Sequence, residues 1–239
     1  MKIGILCAGD TEAEPFIAMT QGCKVTEKAM LKFYEGTISG VQTVTLFSGV
    51  CKVNAAIAAQ ILIDTFGCTA VINAGTAGGM TEELQIFDVV VSTETAYHDV
   101  AEDILTDFHP WMDSVYFKAD DRLLAAARET AEELRERYRA VFGRMLTGET
   151  FIEDDGREAI CAKYEPLSVD METAAVAHAC YVNRVPFISV RSVTDTPSHR
   201  GMGEFEQNCE KASHISAEFV KAMLGNIGRT EVPANVVMR

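Results

Sequence analysis

Three carboxylates stand just after apolar runs of the sequence, at points where buried strands would end. In chain order they are Glu12 after Lys2–Ala8, Glu172 after Glu165–Val169 and Asp195 after Pro186–Thr194. Glu12 and Glu172, each taken singly, can be ordinary acids that stabilise the first turn of a helix. Together the three carboxylates can supply a proton donor, a proton acceptor and an acceptor for hydroxyl groups. The pattern therefore favours acid–base chemistry.

A glycine-rich segment ends another apolar run. Ala70–Ala74 is short and continuously apolar, which is typical of a strand buried on both faces. The segment Gly75–Gly79 (GTAGG) follows it directly. Its glycines either let a ligand approach the backbone closely or only form a tight turn. The segment is therefore a second candidate for the site.

The elements that must position these residues alternate between strand and helix. Besides the runs named above, strands are predicted at Leu31–Ser39, Val41–Ser48, Phe87–Thr95 and Arg144–Thr147. Helices are predicted at Thr11–Met19, Val53–Phe66, Asp120–Tyr138, Glu172–Tyr181 and Phe205–Leu224. This alternation predicts an α/β fold with helices on both faces of a sheet, where ligands gather at the carboxyl ends of the strands. The 239 residues contain no linker or repeat, so we predict one domain over 1–239 with a disordered tail at 229–239.

Charge and cysteine content argue against several classes of protein. The formal net charge of −14 opposes the counterion release that drives nucleic-acid binding. The opening MKIGILCAGD has too short an apolar run for a signal peptide or a membrane span, so we expect a cytoplasmic protein that does not bind membranes. The seven cysteines form no CxxC pair and the five histidines show no ligand spacing, so neither a metal nor a cofactor is expected.

Seven segments occur in the order and approximate spacing of a known family. They are GILCAGDTEAE, SGVCKVNAA, INAGTAGGM, DVVVSTETAYHDV, GETFI, VDMETAAVAHAC and VPFISVRSVTD. On these segments the chain resembles the nucleoside phosphorylase/nucleosidase family, and within it the bacterial 5′-methylthioadenosine/S-adenosylhomocysteine nucleosidases. The resemblance runs from Met1 to about Leu224. It implies the nucleoside phosphorylase type I fold, a single α/β domain whose central mixed sheet is partly barrel-like and flanked by helices.

The resemblance also implies a reaction, the hydrolysis of the bond between adenine and a ribose that carries a 5′-thioether, as in methionine salvage. Breaking this bond leaves an anionic purine and an oxocarbenium-like ribose, so an acid is needed at the base and negative charge near the sugar. By the family pattern Asp195 protonates N7 of adenine, and the Thr194 hydroxyl orients it. Glu12 takes a proton from a water on the opposite face of the ribose, which implies inversion.

The other residues of the family pattern hold the nucleoside, a small-molecule partner. They are Met171 and Glu172 at the ribose, Thr76 and Arg191 at the water, Phe151 and Ile152 at adenine, and Gly78 in the glycine-rich segment. The Glu172 carboxylate would accept hydrogen bonds from the ribose hydroxyls, and the backbone of Ile152 would read the Watson–Crick edge of adenine. The family further implies a homodimer that forms near residues 100–112.

Departures from the family pattern leave the 5′ substituent open. Gly9 stands where the family tends to have methionine, Asp170 where it tends to have glutamate, and residues 100–112 differ from the family's lid. A nucleosidase for another 5′-modified nucleoside, of the deoxyfutalosine type, is therefore an alternative. A phosphorylase would use arginines to bind phosphate, but the first arginine of the chain is Arg122. A non-catalytic storage-type relative would be expected to lose one of the acids, and all three are present.

Overall fold

The strands of the computed structural model, which describes residues 1–109, 111–153 and 156–231, form one ten-stranded sheet. They are β1 (Lys2–Cys7), β2 (Gln21–Lys28), β3 (Leu31–Ile38), β4 (Val41–Phe47), β5 (Ala70–Gly79), β6 (Val89–Tyr97), β7 (Phe117–Lys118), β8 (Ala140–Thr147), β9 (Ser168–Asp170) and β10 (Phe187–Asp195). Most of the predicted tail, residues 232–239, lies outside the described residues.

Five of these strands close into a ring. β5 pairs with β10 in parallel, β10 with β6 antiparallel, β6 with β8 in parallel, β8 with β9 in parallel, and β9 with β5 antiparallel. From β5 the sheet continues outward through β1, β4, β3 and β2. The predicted mixed, partly barrel-like sheet is thereby confirmed.

Helices cover both faces of the sheet, as the strand–helix alternation predicts. They are α1 (Asp10–Met19), α2 (Lys52–Asp64), α3 (Glu102–Asp107), α4 (Asp121–Glu133), α5 (Arg157–Tyr164), α6 (Thr173–Asn183) and α7 (Met202–Glu231). None of the helices in the described residues is long and apolar enough to cross a membrane.

Two apolar cores separate the helices from the sheet. On one side Ile72 of β5 belongs to the core that contains residues of α1, α4 and α7, such as Phe219. On the other side Val71 belongs to the core that contains residues of α2 and α6, such as Leu62. Successive side chains of a strand point to opposite faces, so a strand with helices on both sides must be apolar throughout. This explains why Ala70–Ala74 is apolar at every position except Asn73.

Several predicted elements differ from the structure. The strand predicted to end at Ala74 continues as β5 to Gly79, because the glycine-rich segment pairs with β10 and β9 instead of turning. The helix predicted over Asp120–Tyr138 ends at Glu133, with Asp120 as its N-cap. β2 was not predicted, because seven of its eight residues are exposed and it shows no apolar alternation.

Candidate active site

A cavity of about 390 Å³ opens at the carboxyl ends of β5 and β10. The residues that the sequence assigns to a site all line it: Glu12, Thr76, Gly78, Phe151, Ile152, Met171, Glu172, Arg191, Thr194 and Asp195. Other lining residues include Gly9, Val50, Asp170, Met202, Phe205 and Cys209. The fold thus brings residues from distant parts of the chain to one edge of the sheet.

Glu12 is held at this edge by four hydrogen bonds. It lies in the first turn of α1, where its Oε2 accepts the backbone N–H groups of Ala8 at 2.8 Å and Gly9 at 3.1 Å. Its Oε1 accepts the backbone N–H and the hydroxyl of Thr76, both at 2.8 Å. The carboxylate is therefore fixed between the start of α1 and the middle of β5. The residue is 5% exposed, and these hydrogen bonds replace the contacts with water that burial removes.

Gly75 makes room for this carboxylate. A Cβ atom at position 75 would lie 2.4 Å from both Cδ and Oε1 of Glu12, closer than non-bonded atoms approach. The backbone of Gly75 also has φ = +143°, a conformation that side-chain-bearing residues rarely adopt. Glycine at position 75 is therefore required by the placement of Glu12, and not by a turn.

Glu172 lies across the cavity, directly before α6, and is 2% exposed. Its Oε1 accepts the backbone N–H of Cys51 at 2.9 Å, and its Oε2 lies 3.3 Å from Nη2 of Arg191. Burial raises the pKa of the Glu172 carboxyl to about 7; the Arg191 charge acts to lower this pKa and the Asp170 charge to raise it further. Cys51 donates from a strained backbone, with φ = 84° and ψ = 164°.

A buried polar network beneath the cavity holds Arg191. Its Nη1 donates to the Thr76 carbonyl at 2.7 Å, and its Nη2 donates to Oδ1 of Asn73 at 2.8 Å. The Thr173 hydroxyl also donates to Oδ1 of Asn73, at 2.7 Å. The sequence analysis did not identify Asn73 and Thr173 as residues of the site. Asn73 could have been identified, because it is the only polar residue in the run Ala70–Ala74.

Asp170 fixes the start of α6. Its Oδ1 accepts the backbone N–H groups of Glu172 and Thr173, both at 2.9 Å, as a capping residue does. Its Oδ2 lies 3.3 Å from Nε of Arg191. Aspartate at this position is therefore a support for Glu172 and Arg191 as well as part of the cavity wall.

Asp195 ends β10 and is 1% exposed. Its Oδ1 accepts the Thr194 hydroxyl at 2.9 Å. Burial raises the pKa of the Asp195 carboxyl, and this effect exceeds the lowering caused by the Thr194 hydrogen bond and by the Arg157 charge. The second oxygen faces Gly78, where a Cβ atom would lie 3.1 Å from Oδ2. The geometry suits a carboxylic acid that keeps its proton longer than an exposed one.

The segment Phe151–Ile152 forms the wall that the sequence assigns to adenine. The Phe151 ring meets the Phe205 ring edge to face, with centroids 6.1 Å apart, and the Ile152 side chain is buried. The Ile152 carbonyl accepts Nη2 of Arg157 at 3.0 Å. An aromatic face and a backbone edge are thus available to a flat heterocycle.

Within the described residues no group of three or more His, Cys, Asp or Glu side chains is arranged to hold a metal ion. The cavity offers carboxylates, hydroxyls and one guanidinium. These groups can donate and accept protons and can bind a sugar and a base.

Comparison with known proteins places the chain among enzymes that act on nucleosides. Residues 2–225 match the phosphorylase superfamily. The chain is 34% identical over 237 residues to the 5′-methylthioadenosine/S-adenosylhomocysteine nucleosidase of Anoxybacillus flavithermus, which covers 96% of this chain and all of that protein.

Solved structures show the same similarity. The crystal structure of a 5′-methylthioadenosine/S-adenosylhomocysteine nucleosidase from Colwellia psychrerythraea in complex with adenine has a TM-score of 0.86 and 36% identity, with 95% of each chain covered. The futalosine hydrolase of Helicobacter pylori has a TM-score of 0.84 and 25% identity, covering 94% of this chain and 97% of that one.

Proposed function

We propose that this chain, which belongs to the phosphorylase superfamily, is a purine nucleosidase that hydrolyses 5′-methylthioadenosine and S-adenosylhomocysteine to adenine and a 5-thioribose. The observation that carries this proposal is the placement of Glu12, Glu172 and Asp195 around one cavity. Such products feed nucleoside catabolism and methionine salvage.

Asp195 is the proton donor in this reaction. The leaving adenine carries negative charge, and a proton delivered to its N7 makes it a better leaving group. Because burial raises the pKa of Asp195, a larger fraction of the carboxyl is protonated at a given pH than for an exposed aspartate. The Thr194 hydroxyl orients the acid toward the base through its bond to Oδ1.

Glu12 is the proton acceptor. The Thr76 hydroxyl, which donates to Oε1 of Glu12, can rotate to hold a water molecule and so free one lone pair of that oxygen. The water then attacks the anomeric carbon while Glu12 takes its proton and Asp195 gives one to adenine. In the net reaction one water molecule is added across the glycosidic bond. Proton exchange with solvent then returns Glu12 and Asp195 to their starting protonation states.

The remaining groups bind the nucleoside. Glu172, held by Cys51 and Arg191, accepts hydrogen bonds from the ribose hydroxyls and places negative charge near the oxocarbenium ion. Met171 packs under the ribose, and Phe151 stacks on adenine. Hydrolysis needs no metal or cofactor in this scheme.

Hydrolysis is favoured over phosphorolysis because no unpaired cation is present among the described residues that line the cavity. Among the residues that line the cavity the one arginine is Arg191, and it is already paired with Asp170 and Glu172. A phosphate dianion beside Glu12 would meet a carboxylate without a free guanidinium to compensate it.

A nucleosidase for a futalosine-type nucleoside is the second candidate, supported by the similarity to a futalosine hydrolase. The open space at Gly9, where a Cβ atom would have no neighbour within 4 Å, is compatible with a larger 5′ group. The apolar lining from Val50, Met171 and Met202 suits the thioether atoms next to the ribose of the first candidate's substrates.

A homodimer is supported by exposed apolar side chains on α2, α3, α6 and the segment after α3. They belong to Val53, Ile57, Ile104, Phe108, Trp111, Tyr181 and Val182. An exposed apolar patch typically marks a protein interface. Light scattering of Ile57→Glu should show a smaller species than the wild type, whereas Val25→Glu, exposed on β2, should not change the size.

We also infer that the enzyme works in the cytoplasm, since its seven cysteines are free thiols.

The decisive experiment incubates the purified protein with methylthioadenosine, S-adenosylhomocysteine, a deoxyfutalosine-type nucleoside and inosine, with and without phosphate. Adenine and free thioribose released at the same rate without phosphate would support the proposal. Formation of a ribose 1-phosphate would assign a phosphorylase instead. Release of the free base from the futalosine-type nucleoside alone would favour the second candidate.

A further inference from the structure

Arg157 is a buried cation that neighbours the site and has no part in the reaction described so far. Its guanidinium donates to three backbone carbonyls: Nε to Glu153 at 2.9 Å, Nη1 to Gly79 at 2.8 Å and Nη2 to Ile152 at 3.0 Å. Nη1 also lies 3.4 Å from the sulfur of Met80. In the described part of the chain no carboxylate forms an ion pair with it. Burying an arginine without one is costly, and the hydrogen bonds to the three carbonyls offset part of that cost.

These contacts join two walls of the cavity. Ile152 and Glu153 belong to the segment that faces adenine, whereas Gly79 ends β5 beside the strand that carries Asp195. A Cβ atom on Gly79 would lie 3.2 Å from the Asp195 carbonyl, which shows how closely these strands approach. Arg157 therefore fixes the distance between the segment Ile152–Glu153 and β10, the strand that carries Asp195.

The free lone pair of the Ile152 carbonyl gives this link a chemical consequence. A carbonyl oxygen has two lone pairs, and Nη2 of Arg157 occupies one of them. The other remains for the 6-amino group of adenine. The planar guanidinium fork fixes the direction of the carbonyl in a way that a single point charge does not.

We propose that Arg157 is a positioning residue, which directs the Ile152 carbonyl at the 6-amino group of adenine and holds that segment against the strand of Asp195. This inference rests on the proposed nucleosidase function. It adds a basis for recognising adenine over purines that lack the amino group.

The charge of Arg157 provides an independent readout. It lowers the pKa of Asp195, as does the Thr194 hydroxyl, whereas Glu204 of α7 and burial raise it. Glu82, Glu158 and Arg200 share a second cavity with Arg157 on its other side. Removing the charge of Arg157 should therefore move the alkaline limb of the pH–rate profile, where Asp195 loses its proton, to higher pH.

The test compares the wild type with Arg157→Met and Arg157→Lys. For each protein, calorimetry measures the affinity for adenine and for unsubstituted purine, and kinetics give the pH profile of methylthioadenosine hydrolysis. In Arg157→Met we expect the preference for adenine over purine to fall about tenfold or more and the alkaline limb to move up. In Arg157→Lys the preference should fall as well, but the limb should stay in place, because the charge is kept.

Equal losses of adenine and purine affinity with an unmoved limb would mean that Arg157 only braces the fold, and would overturn the proposal. If Arg157→Met does not fold, Arg157→Lys decides alone, and an unchanged preference in that variant refutes the proposal. Failure of the proposed function is distinguishable, because the wild type would then release no adenine from methylthioadenosine or S-adenosylhomocysteine in the absence of phosphate, whatever the Arg157 variants do.

Discussion

Replacing Gly75 by alanine should disable the site through Glu12. The added Cβ atom would lie 2.4 Å from the Glu12 carboxylate, so that side chain must move. Alanine at φ = +143° costs about 1–3 kcal/mol in backbone strain. Displacing Glu12 from Thr76 breaks two hydrogen bonds to a charged group, each with a net worth of about 1.5–3 kcal/mol. We expect a loss of about 4 kcal/mol or more in the free energy of unfolding.

Catalysis should fall further than stability explains. A displaced general base forfeits about 10²-fold or more in rate. Urea unfolding and adenine release from methylthioadenosine would be measured for Gly75→Ala and for Gly40→Ala. Gly40 also has positive φ, at +80°, but a Cβ atom there would meet nothing within 4 Å. The control should therefore lose about 1 kcal/mol and keep its activity.

A double-mutant cycle isolates the contact. In the Glu12→Ala background the alanine at position 75 meets no carboxylate, so its cost should shrink to the backbone strain alone. We expect a coupling free energy of about 2 kcal/mol or more between positions 12 and 75. Wild-type turnover in Gly75→Ala, or strict additivity in the cycle, would refute the reasoning.

Three further predictions follow from the same geometry. Asp195→Asn should lower the rate of adenine release about 10²- to 10⁴-fold in single-turnover assays, while calorimetry should show that adenine still binds. The control Asp10→Asn, at the exposed start of α1, should change neither the rate of release nor the binding of adenine. Burial raises the pKa of Glu172 from 4.5 to about 7, so its contribution to stability is fully present below about pH 4.5 and is lost as the pH rises through about 7. Urea unfolding should therefore show a weaker decline of stability between pH 4.5 and 7 in Glu172→Gln than in the wild type. An identical decline in the two proteins would contradict the assignment. Cys51→Gly should raise the melting temperature by relieving about 1 kcal/mol of backbone strain, whereas Cys51→Ala should not, and equal gains would point to the thiol instead.

The carboxylates and the alternating layers of the fold were predictable from the sequence, because strands buried on both faces leave unbroken apolar runs. The glycine-rich segment was harder to interpret. Glycines usually end strands, yet Gly75–Gly79 stays in β5, since its missing side chains are what admit Glu12 and Asp195. A local propensity was overridden there by a tertiary contact.

The support of the site could not be predicted from the sequence. Asn73, Thr173 and Arg191 meet across a span of more than a hundred positions, and no local pattern encodes their hydrogen bonds. Arg157 begins a short helix whose sequence shows no apolar period. The supporting role of these residues can be recognised only in the folded chain, where residues distant in sequence come into contact.

The pairing of β5 with both β1 and β10 has a consequence for specificity. Glu12 follows β1 and Asp195 ends β10, so the strands that lead to the proton acceptor and the proton donor lie on either side of β5, two inter-strand spacings or about 10 Å apart. Main-chain pairing maintains this offset whatever the rim residues are. A substitution at Gly9, which lines the cavity, can therefore change the space for the 5′ group while the bond that is cut stays the same.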